Sequence, residues 1–360
     1  MPKMFPLTEL LALMVQRHAS DLHCLVGLPP TLRVNGGLAP VEDAEPITEN
    51  SLTNDLKSVL LPEIHEKYLR ERTADTSYTL PDGSRFRFNV YFEKGTPALA
   101  ARFIPTTIPS LNDLLVPDAV RKFLDLHSGI VLVTGPTGAG KTTLLASMLE
   151  EINMTRRTHI ITFEDPPEFI FHSKESIISQ LEYGKDFLTF QSALSHALRQ
   201  DPNIILVGEM RDLETMSAAL TLAETGHLVF ATLHTNGAAQ TVERVINAFP
   251  PFQQTQVRLQ LSLVLRGIVS QLLLPSNNGT LVPVREVLVN NFAVAHLVSQ
   301  GKTDQIQNVI LSSAADWMQT LDQDLTALVE QNIIPVELAQ KFSNRPQKYE
   351  GMTADETEEA

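Results

Sequence analysis

The sequence of 360 residues has one cysteine and one tryptophan, and it contains no long apolar run. The single cysteine, Cys24, excludes an intrachain disulfide and any zinc site built from several cysteines. No stretch reaches the ~18 to 20 apolar residues that span a bilayer, so direct membrane insertion is not expected. A lone thiol and the lack of a span together favour a reducing, cytoplasmic setting.

Positive charge is also scarce, because 28 Lys and Arg stand against 42 Asp and Glu, giving a net charge of −14. Non-specific nucleic-acid binding is driven by Lys and Arg that displace counterions from phosphates, so we expect no nucleic-acid partner. The last segment, 349–360, carries five acids and no base, which predicts an acidic flexible tail. Hydrophobic residues make up 43% of the chain, which supplies a packed core and excludes global disorder.

The apolar pattern changes near the end of the first hundred residues, which predicts two domains. In the first part, Phe86, Phe88 and Val90 alternate with polar neighbours, as on a sheet with one buried face, and we expect a small α+β domain at 1–104. The stretch 105–110 contains two prolines, which stiffen an extended backbone. We interpret this stretch as an interdomain linker and hinge.

In the second part, 111–348, short and continuously apolar runs alternate with segments of helical period. Runs such as Ile130–Val133 and Ile204–Val207 suit strands covered on both faces, which indicates an α/β domain with a mostly parallel sheet. An apolar stripe over Gln253–Leu274 predicts one long helix. Within that helix Gly267 would cost up to ~1 kcal/mol relative to alanine.

The strongest functional signal follows the first of these runs, where the sequence matches G-x-x-x-x-G-K-[ST]. The segment consists of Gly135, Pro136, Thr137, Gly138, Ala139, Gly140, Lys141, Thr142 and Thr143. Glycines allow backbone N–H groups to converge on phosphates, and the start of a helix adds partial positive charge. Lys141 is expected to reach the β- and γ-phosphates of a nucleoside triphosphate, and Thr142 to bind Mg²⁺.

Two other apolar runs end in acidic residues. Glu209 follows Ile204–Val207, and beside a phosphate-binding loop its carboxylate can orient the attacking water or the water shell of the metal. Gly208 stands where an Asp often precedes such a Glu, which puts direct metal binding by this strand in doubt. Glu164 ends Ile160–Phe163 and is either a second water- or metal-orienting group or a solvated turn residue.

A histidine and three arginines complete the candidate residues. His234 ends the apolar run that begins at Leu228, at the edge where the loops of a parallel sheet meet ligands, although a strand-end histidine is more often a hydrogen-bonding core residue. Arg85 and Arg87 share the polar face of one strand, and Arg102 lies on the next. They are either solvated arginines of an amphipathic sheet or arginine fingers that reach a phosphate across a subunit boundary.

These motifs, in this order, resemble the secretion-type ATPase superfamily, and within it the PilT-like retraction ATPases of type IV pili. The resemblance covers nearly the whole chain and implies a RecA-like P-loop NTPase core of class α/β with a smaller N-terminal PAS-like α+β domain. The matching segments are Ala19–His23, Pro30–Gly36, the phosphate-binding loop, Phe163–Pro166, Val207–Asp212 and His227–Asn236.

The resemblance also implies a function and a set of partners. It implies a cytoplasmic homohexamer, peripheral at the inner-membrane base of the pilus machine, that hydrolyses ATP with Mg²⁺. The hexamer would turn a polytopic inner-membrane platform protein so that the pilus retracts, which drives twitching motility. A pilus extension or type II secretion ATPase is the alternative within the superfamily, and a nucleic-acid translocase is the alternative from another class.

Roles follow from the resemblance position by position. It implies that Glu209 positions or deprotonates water, that Glu164 assists at the metal, and that His234 senses the γ-phosphate. The arginines presented by the N-terminal domain would be Arg85, Arg87 and Arg102.

Overall fold

The computed structural model describes residues 3–34, 37–105, 107–313 and 316–350. The chain divides into two compact units, which are Met1–Thr107 with Glu168–Ile170 (unit 1) and Ile108–Pro167 with Phe171–Ala360 (unit 2). The division falls inside the stretch interpreted as a linker, 105–110.

Unit 1 is an antiparallel sheet with helices on its apolar face. Its strands are β1 (Asp21–Leu25), β2 (Thr31–Val34), β3 (Gly37–Pro40), β4 (Thr73–Thr79), β5 (Arg85–Glu93) and β6 (Thr96–Ile104), and its helices are α1 (Leu7–Gln16), α2 (Glu49–Val59) and α3 (Pro62–Glu71). Within the described residues the strand order is β3-β2-β1-β6-β5-β4. Phe86, Phe88 and Val90 of β5 are fully buried against α1 and α2, so the alternation read from the sequence sets the two faces of this sheet.

Unit 2 contains a mostly parallel sheet, as the apolar runs predicted. Its strands are β7 (Gly129–Thr134), β8 (His159–Glu164), β9 (Ile177–Glu182), β10 (Ile204–Val207), β11 (Leu228–Leu233), β12 (Leu265–Pro275) and β13 (Leu281–Val289). Their order among the described residues is β13-β12-β7-β11-β10-β8-β9, and the β12–β13 pair is antiparallel whereas the other pairs are parallel. Strand β7 therefore lies inside the sheet, between β12 and β11, and every one of its residues is buried.

Helices cover both faces of this sheet. They are α4 (Asp118–Arg121), α5 (Lys141–Thr155), α6 (Phe190–Ala197), α7 (Leu213–Glu224), α8 (Ala238–Asn247), α9 (Pro251–Val264), α10 (Phe292–Gln300), α11 (Ile306–Ser312), α12 (Leu321–Glu330) and α13 (Val336–Phe342). Successive residues of β7 belong to two different apolar clusters, one shared with α7, α8 and α9 and the other with α4 and α5. Among the described residues no helix is long and apolar enough to cross a membrane.

The long helix predicted over Gln253–Leu274 is wrong in its second half. Helix α9 ends at Val264, and β12 begins at Leu265 and pairs in parallel with β7. The cause is tertiary, because this run is buried on both faces of the sheet beside β7, which favours an extended backbone. Gly267 is needed for packing, since a Cβ there would lie 2.1 Å from the ring of Phe123.

The end of the chain also differs from expectation. Tyr349, assigned to the flexible tail at 349–360, is 2% exposed and packs in an apolar cluster with Val284 and Leu325. Its hydroxyl lies 3.2 Å from Thr326 Oγ1. The packed part of the chain therefore includes Tyr349, and residues 351–360 lie outside the described part.

Candidate active site

The predicted phosphate-binding loop connects β7 to α5, at the carboxyl edge of the parallel strands. Gly138 and Gly140 have φ of 80° and 77°, a left-handed conformation that strains other residues. At Gly135 the constraint is contact, because a Cβ would lie 2.1 Å from the carbonyl oxygen of Gln271. No side chain caps α5, whose N-cap is Gly140. The first amides of the helix thus keep the arrangement that binds phosphate.

Exposure differs along the loop. Pro136, Thr137 and Gly138 form an exposed tip, whereas Ala139 is buried and Gly140 is half-buried. The loop therefore presents its tip to solvent and its base to the protein core, as expected of a segment that cradles phosphates of an incoming ligand.

Lys141, the first residue of α5, is folded back into the loop. Its side chain is largely buried, and Nζ donates to the carbonyl oxygens of Gly135 at 2.8 Å and Pro136 at 3.0 Å. The same Nζ lies 3.4 Å from Nδ1 of His234. The ammonium group is thus held at the mouth of the loop, where it can exchange carbonyl partners for phosphate oxygens.

Glu209 and His234 meet at the same edge of the sheet. Glu209 Oε1 lies 3.2 Å from His234 Nε2, and Oε2 accepts from Arg211 Nε at 2.7 Å. Because Lys141 is a donor to Nδ1, the hydrogen bonds are satisfied by the tautomer whose proton is on Nε2 and points to Glu209. The hydrogen bond from Arg211 to Glu209 raises the pKa of the arginine, so the guanidinium stays protonated.

Three residues predicted separately therefore form one line, Lys141–His234–Glu209. Lys141 begins α5 after the loop that follows β7, His234 follows β11 and Glu209 follows β10, and these three strands are adjacent in the sheet. A histidine between the phosphate-binding lysine and a carboxylate can report the presence of the γ-phosphate to the group that handles water.

Glu164 ends β8, next to β10, but its contacts differ from those of Glu209. It is 5% exposed, and Oε1 accepts from Thr162 Oγ1 at 2.7 Å and from Gln180 Nε2 at 2.8 Å. It is a buried, hydrogen-bonded carboxylate, which removes the interpretation as a solvated turn residue. The structure also explains Gly208, because a Cβ there would lie 3.2 Å from Phe163 O and 3.4 Å from Glu164 Cα. An Asp at position 208 would crowd the end of β8.

Thr142 and Thr143 lie half-buried in the first turn of α5. Thr142 follows the lysine directly, which is the position from which a hydroxyl binds Mg²⁺ together with phosphate oxygens. Among the described residues no three His, Cys, Asp or Glu side chains gather into a metal site. A single hydroxyl suits Mg²⁺, which keeps several waters and takes other ligands from phosphates.

The three arginines lie on the face of unit 1 opposite its apolar core. Arg87 pairs across the strands with Arg102, which donates from Nε to Asp21 Oδ1 at 2.9 Å. Arg85 donates to Ser77 Oγ at 3.2 Å. Burial raises the pKa of Asp21, but hydrogen bonds from Ser20 and Arg102 outweigh it and hold the pKa below its ordinary value. Unit 1 thus carries three arginines on one face of its sheet, and one of them, Arg102, is paired with Asp21.

Two residues of the site were not singled out from the sequence. Arg211 was visible two positions after Glu209, in the same motif, and that spacing alone could have marked it. Gln271 donates from Nε2 to the Ala139 carbonyl at 2.6 Å, but it lies 132 positions further along the chain in a segment interpreted as helix. No local signal could have found it.

Comparison with known proteins places the chain in a family. The type II/IV secretion system protein family matches residues 114–337, and the chain belongs to that family. A twitching motility protein of Neisseria gonorrhoeae is 44% identical over 90% of this chain and 86% of its own length. The type IV pilus retraction ATPase PilT of Pseudomonas aeruginosa is 40% identical over 95% of this chain and 99% of its own. The PilT-like resemblance is confirmed.

Solved structures of two ATPases are similar to this chain over nearly its whole length. A crystal structure of the pilus retraction motor PilT with bound ADP has a TM-score of 0.90 at 41% identity and covers 97% of this chain and 100% of that one. The ATPase DotB of Legionella pneumophila has a TM-score of 0.80 at 29% identity, over 95% of this chain and 96% of that one. The predicted fold class, a RecA-like P-loop core of α/β type with a smaller N-terminal domain, is confirmed.

Proposed function

We propose that this protein is an ATPase motor that hydrolyses ATP with Mg²⁺ to drive type IV pilus retraction. The observation that carries the chemistry is the line Lys141–His234–Glu209 at the mouth of a glycine loop. The observation that carries the biological role is near full-length similarity to PilT and to a twitching motility protein.

Each residue of the site has a role that its contacts support. Lys141 exchanges the Gly135 and Pro136 carbonyls for the β- and γ-phosphate oxygens. Glu209 holds the attacking water and accepts its proton, while Arg211 fixes the carboxylate by binding its other oxygen. His234 lies between them and makes the position of Glu209 depend on the γ-phosphate.

The remaining residues of the proposed site stabilise negative charge on the phosphates of the nucleotide. Thr142 and, from the end of β8, Glu164 would hold Mg²⁺ and its waters, and the ion would supply positive charge that stabilises the phosphates. In a homohexamer the arginines of unit 1 serve the nucleotide of a neighbouring copy, where they stabilise charge on the transferred phosphoryl group. These arginines are Arg85, Arg87 and Arg102.

Glu209→Gln tests the chemistry. The amide keeps the size of the side chain but cannot accept the proton of water, so hydrolysis should fall at least ~100-fold while ATP still binds. The measurements are phosphate release and the Kd of a fluorescent ATP analogue. Glu214→Gln, an exposed carboxylate in the first turn of α7, is the control and should keep parental turnover. Undiminished hydrolysis by Glu209→Gln would remove Glu209 from the mechanism.

Retraction is favoured over extension by the extent of similarity. The similarity to the type IV pilus assembly ATPase PilB of Myxococcus xanthus covers 43% of this chain and 26% of PilB. The similarity to PilT covers 95% of this chain and 99% of PilT. Deletion in the host separates the two roles. Surplus surface pili with loss of twitching supports retraction, and bald cells support extension or secretion.

The assembly and its place in the cell are part of the proposal. We infer a homohexamer that is cytoplasmic and docks at the inner-membrane base of the pilus machine, against a polytopic platform protein. Size-exclusion chromatography with light scattering, with and without ATP, tests the hexamer. Crosslinking to the platform protein in the host, against an unrelated polytopic membrane protein, tests the docking.

A further inference from the structure

Gln271 of β12 contacts the phosphate-binding loop at both its ends. Its main-chain carbonyl lies against Gly135, where only glycine leaves room, and its side-chain amide donates to the Ala139 carbonyl at 2.6 Å. The same amide nitrogen would lie 3.0 Å from a Cβ on Gly140. Gln271 is 3% exposed. One buried residue therefore supports the loop across its whole width.

Arg285 of β13 fixes the orientation of that amide. Its Nε donates to Gln271 Oε1 at 2.7 Å. Since a guanidinium can only donate, the oxygen of Gln271 must face Arg285 and the NH₂ group must face Ala139. Without Arg285, the amide could turn over and present an acceptor to the Ala139 carbonyl.

The other end of Arg285 binds the segment that follows the linker in the chain. Nη1 donates to the Leu115 carbonyl at 2.9 Å and Nη2 to the Leu114 carbonyl at 2.8 Å. Arg285 is 2% exposed, and burial lowers the pKa of its guanidinium to about 10, which still leaves it protonated at neutral pH. The Arg285 main-chain N–H donates to Asp324 Oδ2 at 2.7 Å, which ties the strand to α12.

We propose that Gln271 and Arg285 are positioning residues that couple the shape of the phosphate-binding loop to the segment Leu114–Leu115. Gln271 keeps the loop in its binding conformation. Arg285 binds both Gln271 and the carbonyls of Leu114 and Leu115, which follow the linker in the chain. A change of the loop on nucleotide binding is transmitted along this relay. The inference rests on the proposed function, because it assumes that the loop binds a nucleotide.

The first test measures nucleotide affinity. Gln271→Leu keeps the bulk but leaves the buried Ala139 carbonyl without its donor, so the Kd for ADP should rise about 10-fold. Val284→Ala is the matched control: it truncates a buried residue of β13 in the apolar cluster with Leu325 and should lower the melting temperature while keeping the Kd for ADP. A parental Kd for Gln271→Leu, with a lowered melting temperature, would reduce Gln271 to a packing residue and overturn the inference.

The second test measures the coupling by hydrogen exchange with and without ADP. The amides of Leu114, Leu115 and Val116 are all hydrogen-bonded within 110–116, so exchange there reports the order of this segment. In the parent, ADP should slow exchange in both 135–143 and 110–116. In Arg285→Met, which keeps length but has no donors, the slowing should persist in 135–143 and be lost in 110–116. Equal slowing in both proteins would overturn the coupling.

These experiments distinguish a failure of the proposed function from a failure of the coupling through Gln271 and Arg285. If the parent protein bound no ADP, the proposed function would fall and the inference with it. If the parent bound ADP and the Gln271 and Arg285 variants behaved as the parent, only the inference would fall.

Discussion

The two units hold their charged candidate residues in opposite ways. In unit 2 the ammonium group of Lys141 is buried and in contact with main-chain carbonyls, and His234 and Glu209 follow it in one line. In unit 1 the Arg102 side chain is 70% exposed and is bound to Asp21, and Arg87 has no ion pair among the described residues.

The two units therefore differ in how the protein surrounds their cationic groups. The cationic group of unit 2 is prepared by the fold of its own chain, because dipoles of the loop already surround it. The arginines of unit 1 differ, since Arg102 is largely exposed and is paired with the carboxylate of Asp21. In the proposed function, unit 2 holds the nucleotide and the arginines of unit 1 serve the nucleotide of a neighbouring copy in the hexamer.

The largest expected effect comes from Gly135→Ala, which disrupts the phosphate-binding loop of unit 2. A Cβ at 2.1 Å from a main-chain oxygen cannot be accommodated, so the loop must move and nucleotide affinity should fall more than ~100-fold. Calorimetric titration with ADP measures it. Gly226→Ala is the control, since Gly226 also has a positive φ but its Cβ would meet nothing within 4 Å. Parental affinity in Gly135→Ala would contradict the close contact.

The sequence alone predicts those parts of the site that short local motifs encode. The phosphate-binding loop, Glu209 and His234 were predictable, because each is a short motif at the end of an apolar run, and parallel strands bring such ends to one edge. The alternation on β5 likewise placed Arg85 and Arg87 on one face. These are local patterns of period two or of fixed spacing.

The rest depends on contacts between distant parts of the chain. The apolar stripe of α9 continues into β12 without a break, and only burial beside β7 decides that Leu265–Pro275 is extended. Gln271 contacts the loop, and Arg285 contacts Gln271, because of strand pairing that no single segment encodes. Glu164 was left between two interpretations, because its hydrogen-bond partner Gln180 comes from β9, the edge strand.

The second prediction concerns the arginine face. Arg87→Gln removes a charge that makes no ion pair among the described residues of unit 1, so stability should change by less than ~0.5 kcal/mol while ATP turnover falls at least ~100-fold. Phosphate release and thermal unfolding measure the two. Arg17→Gln, which removes the charge of an exposed arginine of unit 1, serves as control and should keep turnover. Full turnover in Arg87→Gln would place this arginine outside the mechanism.

The smallest expected effect is the pH dependence of unit 1. The pKa of Asp21 is lowered in the folded protein, so its stabilising contribution is fully present above the unfolded value of 3.8 and is lost as the pH falls below it. Asp21→Asn should therefore cost about 1 kcal/mol at pH 7 and less near pH 3. Urea unfolding at the two pH values measures this. A cost that does not change with pH would assign the loss to packing.

The central claim is that one nucleotide site uses residues from two copies of the chain, and mixed hexamers test it most directly. Glu209→Gln and Arg87→Gln are co-expressed with different tags, and hexamers that carry both tags are purified. Each variant alone should be inactive, whereas the mixture should regain up to roughly a quarter of parental phosphate release, because some interfaces combine an intact Glu209 with an intact Arg87 from the neighbour. A mixture as inactive as either variant alone would contradict the account.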